Sequence, residues 1–212
     1  MLNFLLDTVF PKFCVGCNTE GSHFCLSCQA KVLRIKSPVC PGCNKLSGAG
    51  KFCSNCRRKT ALTGLKVGAY YREPLQSAIH RFKYLNAKDL AGDLAGFLPE
   101  IDADILTFVP LYRRRKNQRG YNQAQLLASF LRDPNVLLKK VKETGPQVEM
   151  KYEERLKNLK GAFVFVGPAA VKGKKVAIVD DVATTLSTLN ECAKVLREAG
   201  AKEVWGIVLA RS

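Results

Sequence analysis

Residues 176–188 read Val-Ala-Ile-Val-Asp-Asp-Val-Ala-Thr-Thr-Leu-Ser-Thr, and this stretch decides the fold of most of the chain. Its first four apolar residues predict a buried strand that ends at two acids, Asp180 and Asp181. The small and hydroxyl-bearing residues that follow lead into a predicted helix over residues 187–199, which Gly200 ends. Because the strand is apolar on both faces and is followed by a helix, it predicts a parallel sheet covered on both sides.

The junction between this strand and this helix has the residues of a phosphate site. A helix N-terminus presents unpaired N–H groups and a partial positive charge, and hydroxyl side chains add donors. Carboxylates at the end of a parallel strand lie where open α/β sheets bind ligands, and they are good acceptors for a ribose diol. The alternative is a buried strand followed by an ordinary helix cap. The candidate phosphate-binding residues are Asp180, Asp181, Ala183, Thr184, Thr185, Ser187 and Thr188.

Outward from this stretch, apolar strands alternate with amphipathic helices. Strands are predicted over residues 65–71, 105–111, 135–141, 163–166 and 203–210, and helices over residues 74–98 and 122–131. This alternation predicts an α/β fold, a parallel sheet flanked by helices. The composition changes near residues 59–63, so we predict a small module over residues 1–60 and an α/β domain over residues 61–212.

Eight of the nine cysteines lie in the small module, always as Cys-x-x-Cys. Two such turns supply four thiolates to one tetrahedral ion, and a closed four-thiolate site is structural. We therefore predict two structural Zn²⁺ ions, which stabilise a segment too short for a good hydrophobic core. Iron–sulfur clusters or redox dithiols are the alternatives. The candidate metal ligands are Cys14, Cys17, Cys25, Cys28, Cys40, Cys43, Cys53 and Cys56.

The four turns pair either in sequence order or as an interleaved cross-brace. Closing short loops costs the least entropy, which favours pairing in sequence order over an interleaved cross-brace. His23 is predicted to be a bystander, and Cys192, at helix spacing from Leu189 and Leu196, to be a core residue. The module either binds nucleic acid or a partner, or it is a stapled unit that shapes a neighbouring cleft.

The chain is strongly basic, with 34 Lys and Arg against 18 Asp and Glu and a net charge of +16. This excess favours an anionic partner such as nucleic acid, a phosphorylated metabolite or a membrane surface. A cationic run follows the predicted strand 105–111, and flanking tyrosines would allow stacking on bases. A solvated face is the alternative for this run. It consists of Arg113, Arg114, Arg115, Lys116 and Arg119.

The expected location is the cytoplasm, with the inner face of the membrane as an alternative. The N-terminus shows no basic leader with a cleavage site, and no apolar run approaches the roughly 20 residues of a membrane span. A thiol-rich metal module without a secretory signal is typical of a reducing compartment.

These stretches together resemble the ComF family of competence proteins. Residues 176–188 look like the phosphoribosyl pyrophosphate (PRPP) motif of type I phosphoribosyltransferases. The resemblance extends in order along nearly the whole chain. It is carried further by the paired Cys-x-x-Cys turns, Tyr-Arg-Glu-Pro-Leu at 71–75, Ile-His-Arg-Phe-Lys-Tyr at 79–84, Val-Pro-Leu at 109–111, Arg-Gly-Tyr-Asn-Gln at 119–123, Gln147, and Arg155 followed by Asn158 and Gly-Ala-Phe at 161–163.

The resemblance implies a double zinc ribbon followed by a phosphoribosyltransferase-like domain. It implies Asp180 and Asp181 at a ribose, residues 183–188 around its 5′-phosphate, and residues 113–119 near a pyrophosphate. Gln147 and Arg155 join the pyrophosphate or nucleic-acid site, and residues 142–160 form a mobile flap. Mg²⁺ accompanies the pyrophosphate of PRPP.

The resemblance also implies a function. The protein is expected to handle single-stranded DNA during natural transformation, with the competence helicase and uptake machinery as partners. The alternative is an active phosphoribosyltransferase that uses PRPP and Mg²⁺, although no stretch indicates which base or amine would accept the sugar. A purely structural adaptor is the third reading.

One residue departs from the family pattern. Leu186 stands where the family motif usually has glycine. Glycine permits positive φ and close backbone approach to a phosphate, and leucine does neither cheaply. Either the loop keeps ordinary backbone angles here, or phosphate binding is weakened.

Overall fold

The computed structural model describes residues 11–85, 87–100, 102–144, 159–167 and 171–212. The strands are β1 (Gly64–Tyr70), β2 (Ile105–Phe108), β3 (Leu138–Lys140), β4 (Phe163–Phe165), β5 (Lys175–Ala183) and β6 (Glu203–Arg211). The helices are α1 (Leu26–Ala30), α2 (Ser54–Arg57), α3 (Leu75–Tyr84), α4 (Leu90–Ala95), α5 (Arg113–Arg119), α6 (Gln123–Ser129) and α7 (Ser187–Glu198).

Four strands form a sheet in the order β1-β6-β5-β2, and every neighbouring pair is parallel. The central strands β5 and β6 are mostly apolar and largely buried, as expected for strands covered on both faces. Helix α4 packs on both α3 and α6, and α6 packs on β2 and β5. Helix α7 packs on β6 and on the small antiparallel pair β3–β4. The predicted fold class is therefore confirmed.

Strand β5 is longer than predicted. The sequence placed its end at Val179, but the strand continues through both acids to Ala183. It continues because β6 is equally long and stays in register, pairing Asp180 with Val208 and Val182 with Ala210. The acids are thus held by a hydrogen-bonded strand and not by a loop.

Two other predictions were too long. The single helix over residues 74–98 is two helices, α3 and α4, because Leu85 leaves helical backbone angles at φ −113° and ψ 21°. The strand over residues 105–111 ends at Phe108, since Pro110 has no N–H to continue the ladder. The strand over residues 135–141 shortens to β3, and the helix over residues 122–131 to α6.

The cysteine module is built from two similar units. In each, a Cys-x-x-Cys turn is followed by a short helix, α1 or α2, whose N-cap is another cysteine, Cys25 or Cys53. Each turn is closed by a residue with positive φ, Asn18 at 61° and Asn44 at 59°. Asparagine tolerates this left-handed conformation better than most residues.

The module covers one edge of the sheet. Strand β1 is an edge strand, and residues 33–35 pair with it in antiparallel fashion. Ile35 N donates to Gly68 O at 3.0 Å, and Tyr70 N donates to Leu33 O at 2.9 Å. Arg34 also packs on the Phe97 ring at 4.5 Å and donates to Gly96 O. An uncovered edge is a site for unwanted pairing, so the module protects the α/β domain.

Candidate functional site

The eight cysteines of the module form two compact sets in sequence order. The first is Cys14, Cys17, Cys25 and Cys28, and the second is Cys40, Cys43, Cys53 and Cys56. Within each set all sulfur atoms lie within 4.8 Å of one another. Tetrahedral zinc with Zn–S bonds of about 2.3 Å needs sulfurs about 3.8 Å apart. The 3.6 Å between Cys17 and Cys25 Sγ and the 3.8 Å between Cys43 and Cys53 Sγ fit this requirement.

Backbone N–H groups favour the thiolate form of one cysteine in each set, Cys14 and Cys40. Burial alone would raise the pKa of the Cys14 thiol, but N–H donors from Cys25 and Gly16 lower it to about 6. The Cys40 thiol, with donors from Cys53 and Gly42, has its pKa lowered to about 6 in the same way. The chain thus offers two closed four-thiolate sites that fit two structural zinc ions.

Glycine is required inside each turn. A Cβ on Gly16 would lie 2.8 Å from Cys28 Sγ, and a Cβ on Gly42 would lie 2.8 Å from Cys56 Sγ. His23 belongs to neither sulfur set and lies 3.6 Å from the carboxylate of Asp89, as a bystander would. Cys192 is fully buried in the core of the α/β domain.

A pocket of about 840 Å³ opens at the carboxyl end of the sheet. The end of β5 and the loop before α7 form its base. Helix α3 supplies one wall with His80, Lys83 and Tyr84, and helix α5 supplies another with Arg115 and Arg119. Across the mouth, the Arg119 guanidinium lies 5.2 Å from the centre of the Tyr84 ring, which itself contacts His80.

The two acids lie in different surroundings. Asp181 is buried and accepts a hydrogen bond from Lys83 Nζ at 2.8 Å. Asp180 is half-buried. Burial raises the pKa of Asp180 to about 7; the charge of Asp181 adds to this effect, and Lys83 opposes it. The pocket therefore holds one firmly paired carboxylate beside one that is costly to ionise.

The loop before α7 has the left-handed backbone conformation that glycine adopts without strain. Leu186 is the N-cap of α7 with φ 62° and ψ 1°, in the left-handed region. Thr185 and Ser187 hydroxyls are 2.9 Å apart, and the first turn of any helix leaves N–H groups without intrahelical partners. Leucine thus occupies a position suited to glycine, at a cost of order 1 kcal/mol or more. The first of the two alternatives, a loop with ordinary backbone angles at Leu186, is therefore wrong.

Comparing two truncations of Leu186 tests this strain. Both Leu186→Ala and Leu186→Gly lose the side chain, which packs against the core, but only glycine also relieves the left-handed backbone. We expect Leu186→Gly to be more stable than Leu186→Ala by about 1 kcal/mol in urea denaturation, the reverse of their usual order. A more stable alanine variant would mean that the loop has relaxed.

We also expect Leu186→Gly to bind phosphate ligands more tightly than the parent.

The cationic run divides between two surfaces. It forms helix α5, and Arg115 and Arg119, one turn apart, line the pocket. Arg113 and Arg114 line a neighbouring shallow groove of about 400 Å³ instead, with Tyr112, Asn117 and Glu143. Gln118 borders both cavities. The residues of this run are close together in the sequence and were predicted to form one cluster. In the helix they lie on two faces.

The Arg-Gly-Tyr-Asn-Gln motif at 119–123 mainly fixes the backbone between α5 and α6. Gly120 ends α5 with φ 77°, and the Tyr121 hydroxyl donates to Phe82 O. Asn122 donates to Val109 O at 3.0 Å and caps α6 through Ala124 N. Gln123 differs: it is buried at the pocket, and among the described residues its Nε2 has no hydrogen-bond partner. It is a donor left over for a ligand.

All predicted phosphate-binding residues, 180, 181, 183–185, 187 and 188, line this pocket. Gln147 and Arg155, and most of the predicted flap, lie outside the described residues. The sequence assigned no role to Lys83, Lys140 and Gln123, which also line the pocket. They come from three separate elements, α3, β3 and α6, so only the fold brings them together.

The fold and its sites define a class: a module with two four-thiolate sites that precedes an α/β domain with a parallel sheet. The family model described as the double zinc ribbon domain matches residues 5–63. Competence protein F of Haemophilus influenzae is 33% identical, covering 88% of this chain and 96% of that protein. Competence protein ComFC of Bacillus subtilis is 28% identical over 89% of this chain and 84% of its own length. The chain belongs to the ComF family of competence proteins.

One further relative agrees with this membership. The DNA utilization protein YhgH of Escherichia coli K12 is 30% identical over 92% of this chain and 96% of that protein. A solved structure described as the allosteric regulatory enzyme of purine biosynthesis is similar over 58% of this chain and 25% of that one, with 23% identity and a TM-score of 0.37. Among the described residues, no helix has the length and apolar character of a membrane span.

Proposed function

We propose that this protein handles single-stranded DNA during DNA uptake, and that its pocket holds a pentose 5-phosphate of the kind found in PRPP. One observation carries the proposal: helix α5 exposes cations to two adjoining surfaces, one enclosed and one open. The names of the relatives, which refer to competence and DNA utilization, support the DNA half.

The enclosed surface suits a small phosphorylated sugar. The N-terminus of α7 and its hydroxyl residues offer donors to a phosphate, and Asp180 and Asp181 offer acceptors to sugar hydroxyls. DNA lacks the 2′-hydroxyl, and the 3′-hydroxyl is esterified along the strand. The diol-binding carboxylates therefore favour a free ribose phosphate in the pocket over a DNA strand.

The open surface suits a polynucleotide backbone. Arg113 and Arg114 are exposed beside Tyr112, so phosphates can pair with the guanidinium groups while a base stacks on the ring. Arg114 is only loosely engaged by Glu143, with Nη1 and Oε1 3.5 Å apart in an exposed pair. Such contacts are largely independent of sequence.

Separate replacement of the two faces of α5 tests this division. We expect Arg113→Ala with Arg114→Ala to weaken binding to all single-stranded oligonucleotides alike. The slope of log affinity against log salt should flatten by about 1.4, or about 0.7 per lost phosphate contact. The measurement is fluorescence anisotropy of a labelled oligonucleotide across a salt series.

Two controls make this result specific. Lys116 lies on the same helix but lines neither cavity. Lys116→Ala removes one charge there and should therefore change the slope least. Arg115→Ala with Arg119→Ala should retain most DNA binding and lose affinity for ribose 5-phosphate. An unchanged slope in the Arg113 and Arg114 variant would show that DNA does not bind in this groove.

A second candidate function is phosphoribosyl transfer from PRPP. The pocket volume of about 840 Å³ and the wall of Tyr71, His80 and Tyr84 favour it, because they leave room for an acceptor beside a sugar phosphate. Release of pyrophosphate on addition of a candidate acceptor would establish it. The competence helicase as a partner, a cytoplasmic location and Mg²⁺ brought by the pyrophosphate of PRPP also stay predictions.

A further inference from the structure

Lys83 brings a buried positive charge to the carboxylates of the pocket. It lies in the last turn of α3, and its Nζ donates to Asp181 Oδ1 at 2.8 Å. The side chains are 21% and 11% exposed, so this pair is much less screened than a surface salt bridge. Lys83 occurs in one of the family-like stretches, yet neither the sequence nor the relatives assign it a role.

The Lys83 ammonium keeps its charge in this setting. Burial alone would lower its pKa, but Asp181 raises the pKa above the ordinary lysine value. A second ammonium, that of Lys140, reaches the pocket from β3 and is fixed by the Thr144 hydroxyl at 2.7 Å. Two lysines thus face two carboxylates.

The charges lining the pocket balance in favour of an anion. Four cationic residues, Lys83, Arg115, Arg119 and Lys140, stand against Asp180 and Asp181. The surplus of positive charge matches a phosphate monoester, which carries about −1.5 to −2 at neutral pH. Electrostatic neutralisation of such a ligand therefore needs no added cation.

Magnesium has few free ligands among the described residues of the pocket, because the Oδ1 atom of each acid is engaged and only the Oδ2 atoms are open. Mg²⁺ requires octahedral oxygen ligands at about 2.0–2.1 Å and usually uses one or two carboxylates together with phosphates. Asp181 Oδ1 already accepts from Lys83 and from Val182 N at 2.6 Å, and Asp180 Oδ1 accepts from Asp181 N at 2.9 Å. A dication bound to Asp181 would also lie beside the Lys83 ammonium, which repels it.

We propose that the pocket binds a pentose 5-phosphate without a divalent cation, because the Lys83 ammonium supplies the positive charge that holds Asp181. This inference rests on the pocket half of the proposed function. Lys83 fixes Asp181 through Oδ1 and leaves Oδ2 for the sugar hydroxyls, while the phosphate lies at residues 184–188. Lys83 is thus a positioning residue for the sugar.

Calorimetric titration of the full zinc-loaded chain with ribose 5-phosphate tests the proposal. Buffers are freed of divalent ions on a chelating resin, because a soluble chelator would also remove zinc from the thiolates. We expect the parent to bind equally well, within about twofold, with no Mg²⁺ and with millimolar Mg²⁺.

The variant Lys83→Met provides the sharper result. In metal-free buffer it should bind about tenfold more weakly, because Asp181 loses its charged partner. Millimolar Mg²⁺ should restore much of this affinity, since the carboxylate is then open to a metal. Damage to the fold would not be repaired by Mg²⁺, so rescue separates the two causes. Lys88→Met is the matched control, because Lys88 is exposed and lies over the Tyr121 ring outside the pocket lining.

The outcomes are distinct. Binding by the parent only in the presence of Mg²⁺ overturns this proposal and leaves the pocket as a sugar-phosphate site. Equal affinity of Lys83→Met and the parent in metal-free buffer also overturns it. Absence of ribose 5-phosphate binding in both buffers removes the pocket half of the proposed function, and this inference with it.

Discussion

Replacing Cys14 and Cys17 with serine is expected to reduce the zinc content from two ions per chain to one and to unfold the first zinc ribbon. The two turns of each site share a single metal, so two oxygen substitutions leave too few thiolates. Structural zinc supplies about 10–16 kcal/mol in small domains, more than a typical module can lose and remain folded. Elemental analysis and circular dichroism measure the two effects.

The damage is expected to spread to the α/β domain. Cys14 and Cys28 are buried in the same core as Phe24, whose ring lies 6.2 Å from that of Phe97. Loss of the first ribbon would also release residues 33–35 from the edge of β1. We therefore expect a lower midpoint of thermal unfolding and concentration-dependent aggregation.

The matched control is Cys192→Ser. This cysteine is also buried, but it lies in α7 and belongs to neither sulfur set. The substitution should lower the free energy of unfolding, because it buries a serine hydroxyl, and it should leave both zinc ions in place. Two zinc ions in the Cys14 and Cys17 variant, or one in the parent, would contradict the two-site assignment.

The zinc sites could be predicted from sequence because their chemistry is local. The spacing within each Cys-x-x-Cys turn and between successive turns is enough to specify a four-thiolate site. The strand–loop–helix at 176–188 was predictable for the same reason, since strand, acids and helix start are contiguous. Even there the end of β5 was wrong, because its length depends on pairing with β6, far along the chain.

The rest of the pocket depends on packing between distant segments. Lys83 reaches Asp181 only because α3 packs beside the carboxyl end of β5, and Lys140 arrives from a short strand outside the main sheet. No periodicity in the sequence marks either lysine. The two faces of α5 could have been predicted from the sequence. Once residues 113–119 are helical, Arg115 and Arg119 must lie on the same side.

The two acids of the pocket are expected to have opposite effects on stability when each is replaced by asparagine. The Asp180 carboxyl has a pKa of about 7 in the folded chain, against 3.8 for the ordinary side chain. Between pH 3.8 and about pH 7 the folded state therefore retains a proton that the unfolded state has lost. As pH rises through this window, the parent loses stability through this group, and above about pH 7 the loss is complete.

Asp180→Asn removes this penalty. We expect the variant to match the parent near pH 4 and to exceed its free energy of unfolding by about 2–4 kcal/mol at pH 8. Subtracting the two profiles of urea denaturation against pH cancels all other titrating groups. Parallel profiles would show that the Asp180 carboxyl is solvated in the ordinary way.

Asp181→Asn should act in the opposite direction. It leaves the buried Lys83 ammonium without its charged partner, and breaking such a pair costs about 1–3 kcal/mol at this partial exposure. In the double variant these changes partly cancel, so the fold should persist. Both single variants should nevertheless lose affinity for ribose 5-phosphate, because each removes a charged acceptor for the sugar hydroxyls. A stabilised Asp180→Asn protein that binds the sugar phosphate poorly would show that this carboxylate is retained for ligand binding at the expense of stability.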